Sequence, residues 1–205
     1  MQKEHLENDN YTQEVIPINM GYIQILSVVI LGIFAGLFSL VYYLINDKSL
    51  LTTSLEEFLS ILYTPLLAIV FLVTTPILLI IAHEGIHAFF GALFSDNGFK
   101  SIKLGIMGAK GYYSPYCHCK EALKVWQFSI VIMMPTIVLG FVPVIIGLTL
   151  GGGILVVVGV FMISSGAGDI VYVIKMLKFN KDDFMFEFPN EQNILGFMIY
   201  KKLTS

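Results

Sequence analysis

The sequence contains no arginine and is poor in charge of either sign. All 12 fixed cations of the 205-residue chain are lysines, only 13% of the residues are charged, and the formal net charge is −3. Bidentate reading of bases and a basic face are both missing, which argues against nucleic-acid binding. The only cysteines are Cys117 and Cys119. Because a bridge between residues two apart on a strand is strained, we predict two reduced thiols and no disulfide framework.

Apolar residues make up most of what is present. Hydrophobic residues account for 56% of the chain, and the mean hydropathy is +0.79. Soluble domains carry about 25% charged residues, so this composition predicts a membrane protein. At 1.5 Å per helical residue, four apolar runs are long enough to cross a hydrocarbon core of about 30 Å. They lie at about 22–45, 58–94, 125–150 and 154–177.

These runs predict an all-α membrane protein, a four-transmembrane-helix bundle. Residues 1–20 are polar, and we expect them to be poorly ordered or to lie on the surface. Residues 21–178 would form the membrane-embedded domain, followed by a cytoplasmic tail at 179–205. Ser54 and Glu57 have the spacing of a capping box, which predicts that the second long helix begins there.

The loop between the second and third spans has the period of a β-strand. Ile102, Leu104 and Ile106 alternate with residues that are polar or small. Residues 108–111 are typical of a turn, and residues 112–119 predict a returning edge strand. We therefore expect a small β-hairpin at the cytoplasmic face, between helices 2 and 3 of the bundle.

The tail predicts two more short elements. Phe184, Phe186 and Phe188 alternate with other residues, which favours a short strand. Residues 190–202 favour a short interfacial helix.

The distribution of lysines predicts the orientation in the membrane. Five lysines lie in the loop 95–124 and five lie between residues 175 and 202, whereas the turn 151–153 has none. Cytoplasmic loops carry an excess of lysine and arginine. We therefore predict a multi-pass cell-membrane protein with both termini and the loop 95–124 in the cytoplasm.

The second apolar run contains the sequence His83-Glu84-Gly85-Ile86-His87. This spacing places the two imidazoles one helical turn apart, where both can bind one Zn²⁺ ion, and Glu84 lies close enough to act as general base. Chance would produce the pattern roughly 0.004 times in a chain of this composition. Ionisable residues inside a span are costly and usually functional. The alternative is three polar residues that hydrogen-bond within the bundle.

A catalytic zinc site usually has three protein ligands, so a third is needed. The candidates are Asp169, His118, Cys117, Cys119 and Glu121. Depth favours Asp169, which would lie roughly 13 Å below the cytoplasmic end of its helix, against roughly 10–16 Å for the two histidines. The alternative for Asp169 is a carboxylate that is capped or paired with a lysine at a helix end.

His118 is a candidate for a second catalytic role. On the predicted strand, it shares a face with Tyr112, Ser114 and Tyr116. That face would hold the substrate or stabilise an oxyanion near the metal. The alternative is a histidine in a surface loop.

These motifs resemble those of two families of membrane zinc peptidases. His83-Glu84-Gly85-Ile86-His87 followed by Gly168-Asp169 resembles the site-2 protease class of intramembrane metallopeptidases. The order of motifs over about 75–180 resembles the zincin peptidases of the DUF3267 family. The remaining motifs that carry this likeness are Ser114-Pro115-Tyr116-Cys117-His118-Cys119-Lys120-Glu121 and Met134-Pro135.

The resemblance implies a role for each matching residue. His83, His87 and Asp169 would be zinc ligands, and Glu84 would be the base. It also implies a membrane-embedded site on the cytoplasmic side and a peptide substrate that lies along a strand.

The chain departs from the site-2 protease pattern around the third ligand. Site-2 proteases usually have Asn-Pro-Asp-Gly there, whereas Ile170 follows the acid in this chain and neither Asn nor Pro precedes it. Ser164, Ser165 or His118 would have to replace the asparagine that helps to hold substrate.

The leading hypothesis is a zinc metalloendopeptidase that cleaves transmembrane or membrane-proximal peptides within the lipid bilayer. The first alternative is a non-enzymatic membrane protein that handles metal ions or protons. The second is a catalytically silent zincin scaffold, against which the intact Glu84 argues.

Overall fold

The computed structural model describes residues 11–61, 65–109, 112–187 and 195–202. This part of the chain is mostly helical, with two small antiparallel sheets. Its helices are α1 (Met20–Asn46), α2 (Leu50–Ile61), α3 (Pro65–Phe94), α4 (Val125–Pro135), α5 (Val142–Leu150), α6 (Gly153–Ser165) and α7 (Ala167–Met176). Its strands are β1 (Tyr11–Ile18), β2 (Ile102–Ala109), β3 (Tyr112–Cys119), β4 (Leu123–Lys124), β5 (Phe184–Glu187) and β6 (Leu195–Lys202).

Three helical stretches are long and apolar enough to cross a membrane: Met20–Asn46, Leu66–Phe94 and Val125–Leu150. The last of these runs from α4 through a π-helical turn (Thr136–Phe141) into α5. A fourth span exists if α6 and α7 are counted together, although they meet at an angle of 47°. Of the run that we predicted at 58–94, residues up to Ile61 belong to α2 and residues from Pro65 belong to α3, whereas residues 62–64 lie outside the described part.

The chain divides into two compact units, and the boundary on α3 falls between His83 and Glu84. The first unit contains the described residues of Met1–Tyr22, Glu84–Met134 and Asp169–Ser205. The second contains those of Ile23–His83 and Pro135–Gly168.

Close glycine contacts and a side-chain hydrogen bond to a backbone carbonyl join elements within the second unit. A Cβ atom on Gly159 of α6 would lie 2.6 Å from the carbonyl oxygen of Gly140, which lies in the π-helical turn between α4 and α5. Only glycine at position 159 permits α6 to approach this turn so closely. The Tyr42 hydroxyl donates to the Gly151 carbonyl at 2.7 Å. Close contacts between small residues and side-chain hydrogen bonds between helices are typical of helix packing in membranes, where the hydrophobic effect between helices is absent.

Glu57 is an N-terminal cap, but of a different helix from the one that we predicted. Ser54 and Glu57 lie inside α2, so the predicted helix start at Ser54 is wrong. The Glu57 carboxylate accepts hydrogen bonds from the backbone N–H groups of Gly153 and Ile154, at 3.0 and 2.8 Å. It therefore satisfies the first amides of α6, which has no capping side chain of its own.

The first unit contains both sheets, which corrects the all-α prediction. One sheet has the strand order β1-β6-β5-β4, and the other is the hairpin of β2 and β3. The hairpin confirms the strand pattern seen in the sequence, with Lys103 opposite His118. Of the predicted turn, Gly108 and Ala109 belong to β2, and residues 110 and 111 lie outside the described residues.

The segment 11–18, expected to be poorly ordered or on the surface, is strand β1, which pairs along its length with β6 and keeps Thr12, Gln13, Val15 and Pro17 exposed. The helix predicted at 190–202 is wrong over residues 195–202, which form that partner strand; residues 190–194 lie outside the described part. The predicted strand near Phe184 is confirmed as β5. Phe197, Ile199 and Tyr200 of β6 are fully buried, so this sheet has a core of its own.

Candidate metal centre

The two motif histidines lie in the C-terminal half of α3. The helix continues without a break from Pro76 to Phe94, so His83 and His87 are one turn apart on the same face. Glu84 is the next residue around the helix, and all three side chains are partly buried. The sequence thus places two imidazoles and a carboxylate on one uninterrupted apolar helix, as the motif predicts.

Asp169 lies in the first turn of α7. Its Oδ1 atom is 3.7 Å from Nε2 of His87, and the two side chains are only 16% and 12% exposed. One donor atom each from His83, His87 and Asp169 all lie within 4.8 Å of one another. Ligands that are each about 2.1 Å from a tetrahedral zinc ion are roughly 3.4 Å apart, so this group has nearly the spacing of a zinc site.

The environment of His87 also fits a metal ligand. Its Nδ1 atom lies 3.0 Å from the carbonyl oxygen of Val131 in α4. Metal-binding histidines usually donate their second ring N–H to such a group, which fixes the tautomer and leaves the other nitrogen for the metal. Here that other nitrogen is Nε2, the atom that faces Asp169. Two imidazoles and a carboxylate are a donor set that zinc accepts, so these residues could hold the ion.

Among the five candidates for the third ligand, Asp169 alone joins the two histidines in the described part of the chain. His118, Cys117 and Cys119 of β3, as well as Glu121, do not belong to this group. Both thiols are free. Burial, followed by the charges of Glu84 and Glu187, raises the pKa of Cys117 to about 12. Burial likewise raises the pKa of Cys119 to about 11, so both thiols are neutral near pH 7.

Glu121 is a structural carboxylate. It is 5% exposed and accepts hydrogen bonds from the backbone N–H groups of Asp96 and Asn97, at 2.9 and 3.2 Å. The Asn97 side-chain amide and the Ser101 hydroxyl also donate to it. Burial alone would raise the pKa of Glu121, but these donors outweigh it and hold the pKa at about 2. The carboxylate therefore ties the chain after α3 to the base of the hairpin.

His118 is buried rather than part of an exposed loop. It is 5% exposed, and its ring meets that of Phe186 edge to face, with centroids 5.5 Å apart. Its Nδ1 atom lies 3.7 Å from Oε2 of Glu187 at the end of β5. Among its predicted neighbours on the same strand face, Tyr116 packs against Gly105, where an added Cβ would lie 2.8 Å from the tyrosine ring. The side chains of Tyr112 and Ser114 lie outside the described part.

Sequence reasoning missed two groups around these residues. The Val131 carbonyl that orients His87 is a backbone atom in an apolar run, and no sequence pattern marks it. Glu187 stands in a short strand that we recognised only from its alternating phenylalanines. The signal in the sequence that could have identified Glu187 is a charged residue between two of those phenylalanines.

Comparison with known proteins provides one result. No curated protein and no solved structure shows significant similarity to the chain. The model of one family, DUF3267, matches residues 76–184 and carries the description "Putative zincin peptidase". The match includes the two histidines, Glu84 and Asp169. Since it spans more than half of the sequence, the protein belongs to the DUF3267 family.

Proposed function

We propose that this protein is an intramembrane zinc metalloendopeptidase. The observation that carries the proposal is the convergence of His83, His87 and Asp169 within 4.8 Å, on helical segments apolar enough to span a membrane. Membership of a zincin peptidase family supports the same class of chemistry. An ionisable cluster in such segments is costly unless it serves a function.

Each residue of the site has a distinct role in peptide hydrolysis. Zinc held by the two histidines and Asp169 would supply Lewis acidity toward the scissile carbonyl and its attacking water. Glu84 removes a proton from the water as it attacks the carbonyl carbon, and later delivers that proton to the leaving amine. One water is consumed, the C–N bond breaks, and a carboxylate and an amine are released. His118 stabilises the oxyanion that forms during the attack.

The hairpin offers a place for the substrate. β2 pairs only with β3 in the described part of the chain, so its other edge can take an added strand. Leu104 and Ile106 on β2 are 59% and 73% exposed, which suits an apolar peptide. A peptide that adds to this edge gains main-chain hydrogen bonds and is held extended, the form in which its carbonyl can be attacked. We therefore expect substrates that are transmembrane or membrane-proximal segments.

The lysine distribution supports a site that opens toward the cytoplasm. The loop that follows α3 and the segment that follows α7 both carry clusters of lysines. With the positive-inside rule, the site and both termini would belong to the cytoplasmic half of the cell membrane.

The test is purified protein in detergent, with zinc measured by mass spectrometry. We expect about one zinc ion per chain in the wild type and in Glu84→Gln, because Glu84 is the base and not a ligand. Membranes from cells that express the wild type should contain new peptide termini that are missing with Glu84→Gln. Glu56→Gln is the matched control, since Glu56 is an exposed acid on α2.

Two results would refute the proposal: wild-type protein without zinc, or the same new termini with Glu84→Gln as with the wild type. Uptake of zinc into liposomes without any cleavage would favour the metal-handling alternative.

A further inference from the structure

His118 and Glu187 meet although they belong to different sheets of the first unit. His118 lies on β3 of the hairpin, and Glu187 ends β5 of the four-stranded sheet. Nδ1 and Oε2 are 3.7 Å apart, and the side chains are 6% and 21% exposed. Strand pairing does not impose this contact, because the two strands share no hydrogen-bonded ladder.

The buried ring nitrogen of His118 needs the carboxylate. Nδ1 is buried and makes no hydrogen bond within the described part of the chain. A buried polar atom without a partner costs free energy, and the nearest charge that can satisfy it is Glu187. The separation exceeds a normal N–H···O bond by less than 1 Å. Catalytic hydrogen bonds are often this long without substrate and shorten when it binds.

β5 also supplies an apolar wall for the pair. The Phe186 ring stands edge to face against the imidazole. This contact shields one side of the ring from water, which would strengthen a hydrogen bond formed between His118 and Glu187. One short strand thus supplies both the apolar surface and the charge around His118.

The pair lies in the neighbourhood of the motif glutamate. Cys117, the residue before His118, is close enough to Glu84 and Glu187 that both carboxylates help burial to raise its pKa. The proposed base and the acid beside His118 therefore both act electrostatically on the same part of the hairpin.

We propose that Glu187 is a positioning residue for catalysis, whose carboxylate accepts the Nδ1 proton of His118 and directs Nε2 toward the substrate. This inference rests on the proposed function, in which His118 stabilises the oxyanion. For Nε2–H to donate to the oxyanion while Nδ1–H is held by Glu187, the ring must carry a proton on both nitrogens at that step, and the carboxylate opposite Nδ1 stabilises the positive charge. Glu187 lies beyond the segment that matches the family, so the role is inferred from this chain alone.

The first readout is independent of activity. Protein with ¹⁵N-labelled histidine is studied by NMR in micelles, and the His118 signals are assigned with His118→Gln among the four histidines. We expect a proton on Nδ1 of His118 in the wild type and in Glu187→Gln, whose amide oxygen still accepts it. In Glu187→Leu the acceptor is gone, and the single ring proton should move to Nε2.

The second readout is the kinetics of peptide cleavage. Loss of the charge in Glu187→Gln should lower kcat about 10- to 100-fold, with little change in KM, because the pair acts on the transition state. Glu187→Asp should recover part of this loss. Asp182→Asn, an exposed acid paired with Lys124, should change neither kcat nor the His118 signals.

The two readouts separate the possible failures. Wild-type protein that cleaves no peptide refutes the proposed function, while the NMR signals still decide whether Glu187 orients the ring. A wild-type Nδ1 without a proton, or signals unchanged in Glu187→Leu, refutes the positioning role. Unchanged kcat in both Glu187→Gln and Glu187→Leu refutes its part in catalysis.

Discussion

Each compact unit contains a carboxylate that is bound by backbone amides. In the second unit Glu57 accepts from the first amides of α6, and in the first unit Glu121 accepts from the amides that follow α3. Asp169 differs from both because it lies against the imidazole of His87, with Oδ1 3.7 Å from Nε2. These three acids are thus of two kinds: the two that satisfy backbone donors hold the fold, and the one that converges with two histidines can hold a metal.

The largest expected effect comes from the metal-facing acid. Asp169→Asn keeps the shape of the side chain but removes the negative charge that completes the site. We expect zinc to be lost on purification and peptide cleavage to fall by about 10³-fold or more, while thermal stability without metal stays near that of the wild type. Zinc analysis and a cleavage assay measure this. Full zinc occupancy in the variant would remove Asp169 from the ligand set.

The backbone-bound Glu121 should behave in the opposite way. Its folded-state pKa is about 2, below the ordinary value of 4.5 for a glutamate, so its charge stabilises the fold. This stability is fully present above the unfolded-state pKa and is lost as pH falls from about 5 toward 2, a loss of roughly 3 kcal/mol.

Glu121→Gln should therefore unfold more easily at pH 7 by about 2–3 kcal/mol, with a smaller additional loss at pH 3 than the wild type shows. Denaturant titration in micelles at the two pH values measures the difference. Glu56→Gln, at an exposed position, is the control. Equal pH dependence in the wild type and Glu121→Gln would contradict the assignment.

A third substitution is expected to shift α7, the helix that carries Asp169, without changing any charge. Gly166 separates α6 from α7, and a Cβ at this position would overlap the buried Thr136 hydroxyl oxygen. Gly166→Ala should destabilise the protein by about 1–3 kcal/mol through overpacking and should weaken zinc binding, since α7 begins at the next residue and carries Asp169 in its first turn.

The double variant Gly166→Ala/Thr136→Ala tests the cause. With the hydroxyl removed, the nearest remaining atoms are the Cβ of residue 136 at 3.4 Å and the Ile163 carbonyl oxygen at 3.5 Å, which are ordinary contacts. Stability and zinc content should recover toward those of Thr136→Ala. A double variant no better than Gly166→Ala would show that this overlap is not the reason.

The smallest effect is expected at Glu57. Glu57→Gln keeps an acceptor for the amides of Gly153 and Ile154 but loses the charge at the N-terminus of α6. We expect a loss of stability of about 1 kcal/mol and unchanged zinc content. Thermal unfolding with metal analysis measures both. Loss of zinc from Glu57→Gln would contradict the distinction between acids that hold the fold and the acid that holds the metal.

Local patterns predicted the elements whose signal lies within a few consecutive residues. The long apolar runs predicted α1 and the stretch from α4 to α5 as span-length helices, and alternation predicted the hairpin and β5. Non-local pairing was not predictable in this way. β1 bonds to β6 from the other end of the chain, and the apolar run in 195–202 is compatible with either a strand or a buried helix.

The candidate site shows the same limit. His83, Glu84 and His87 are recognisable because the pitch of a helix fixes how residues four apart are arranged. The choice among Asp169, His118, Cys117, Cys119 and Glu121 depends on packing between elements far apart in sequence. Depth along the helix favours Asp169. Residue depth does not reveal that the Val131 carbonyl contacts His87 or that the Glu187 carboxylate lies beside His118.

The sequence by itself determined an apolar helix that carries two histidines and a glutamate at zinc-binding spacing, because that arrangement depends only on local backbone geometry. The tertiary structure alone decided which carboxylates serve the backbone and which faces the histidines. A carboxylate has the same chemistry wherever it stands in the chain, and only its folded neighbours, whether amide N–H groups or imidazoles, determine what it does.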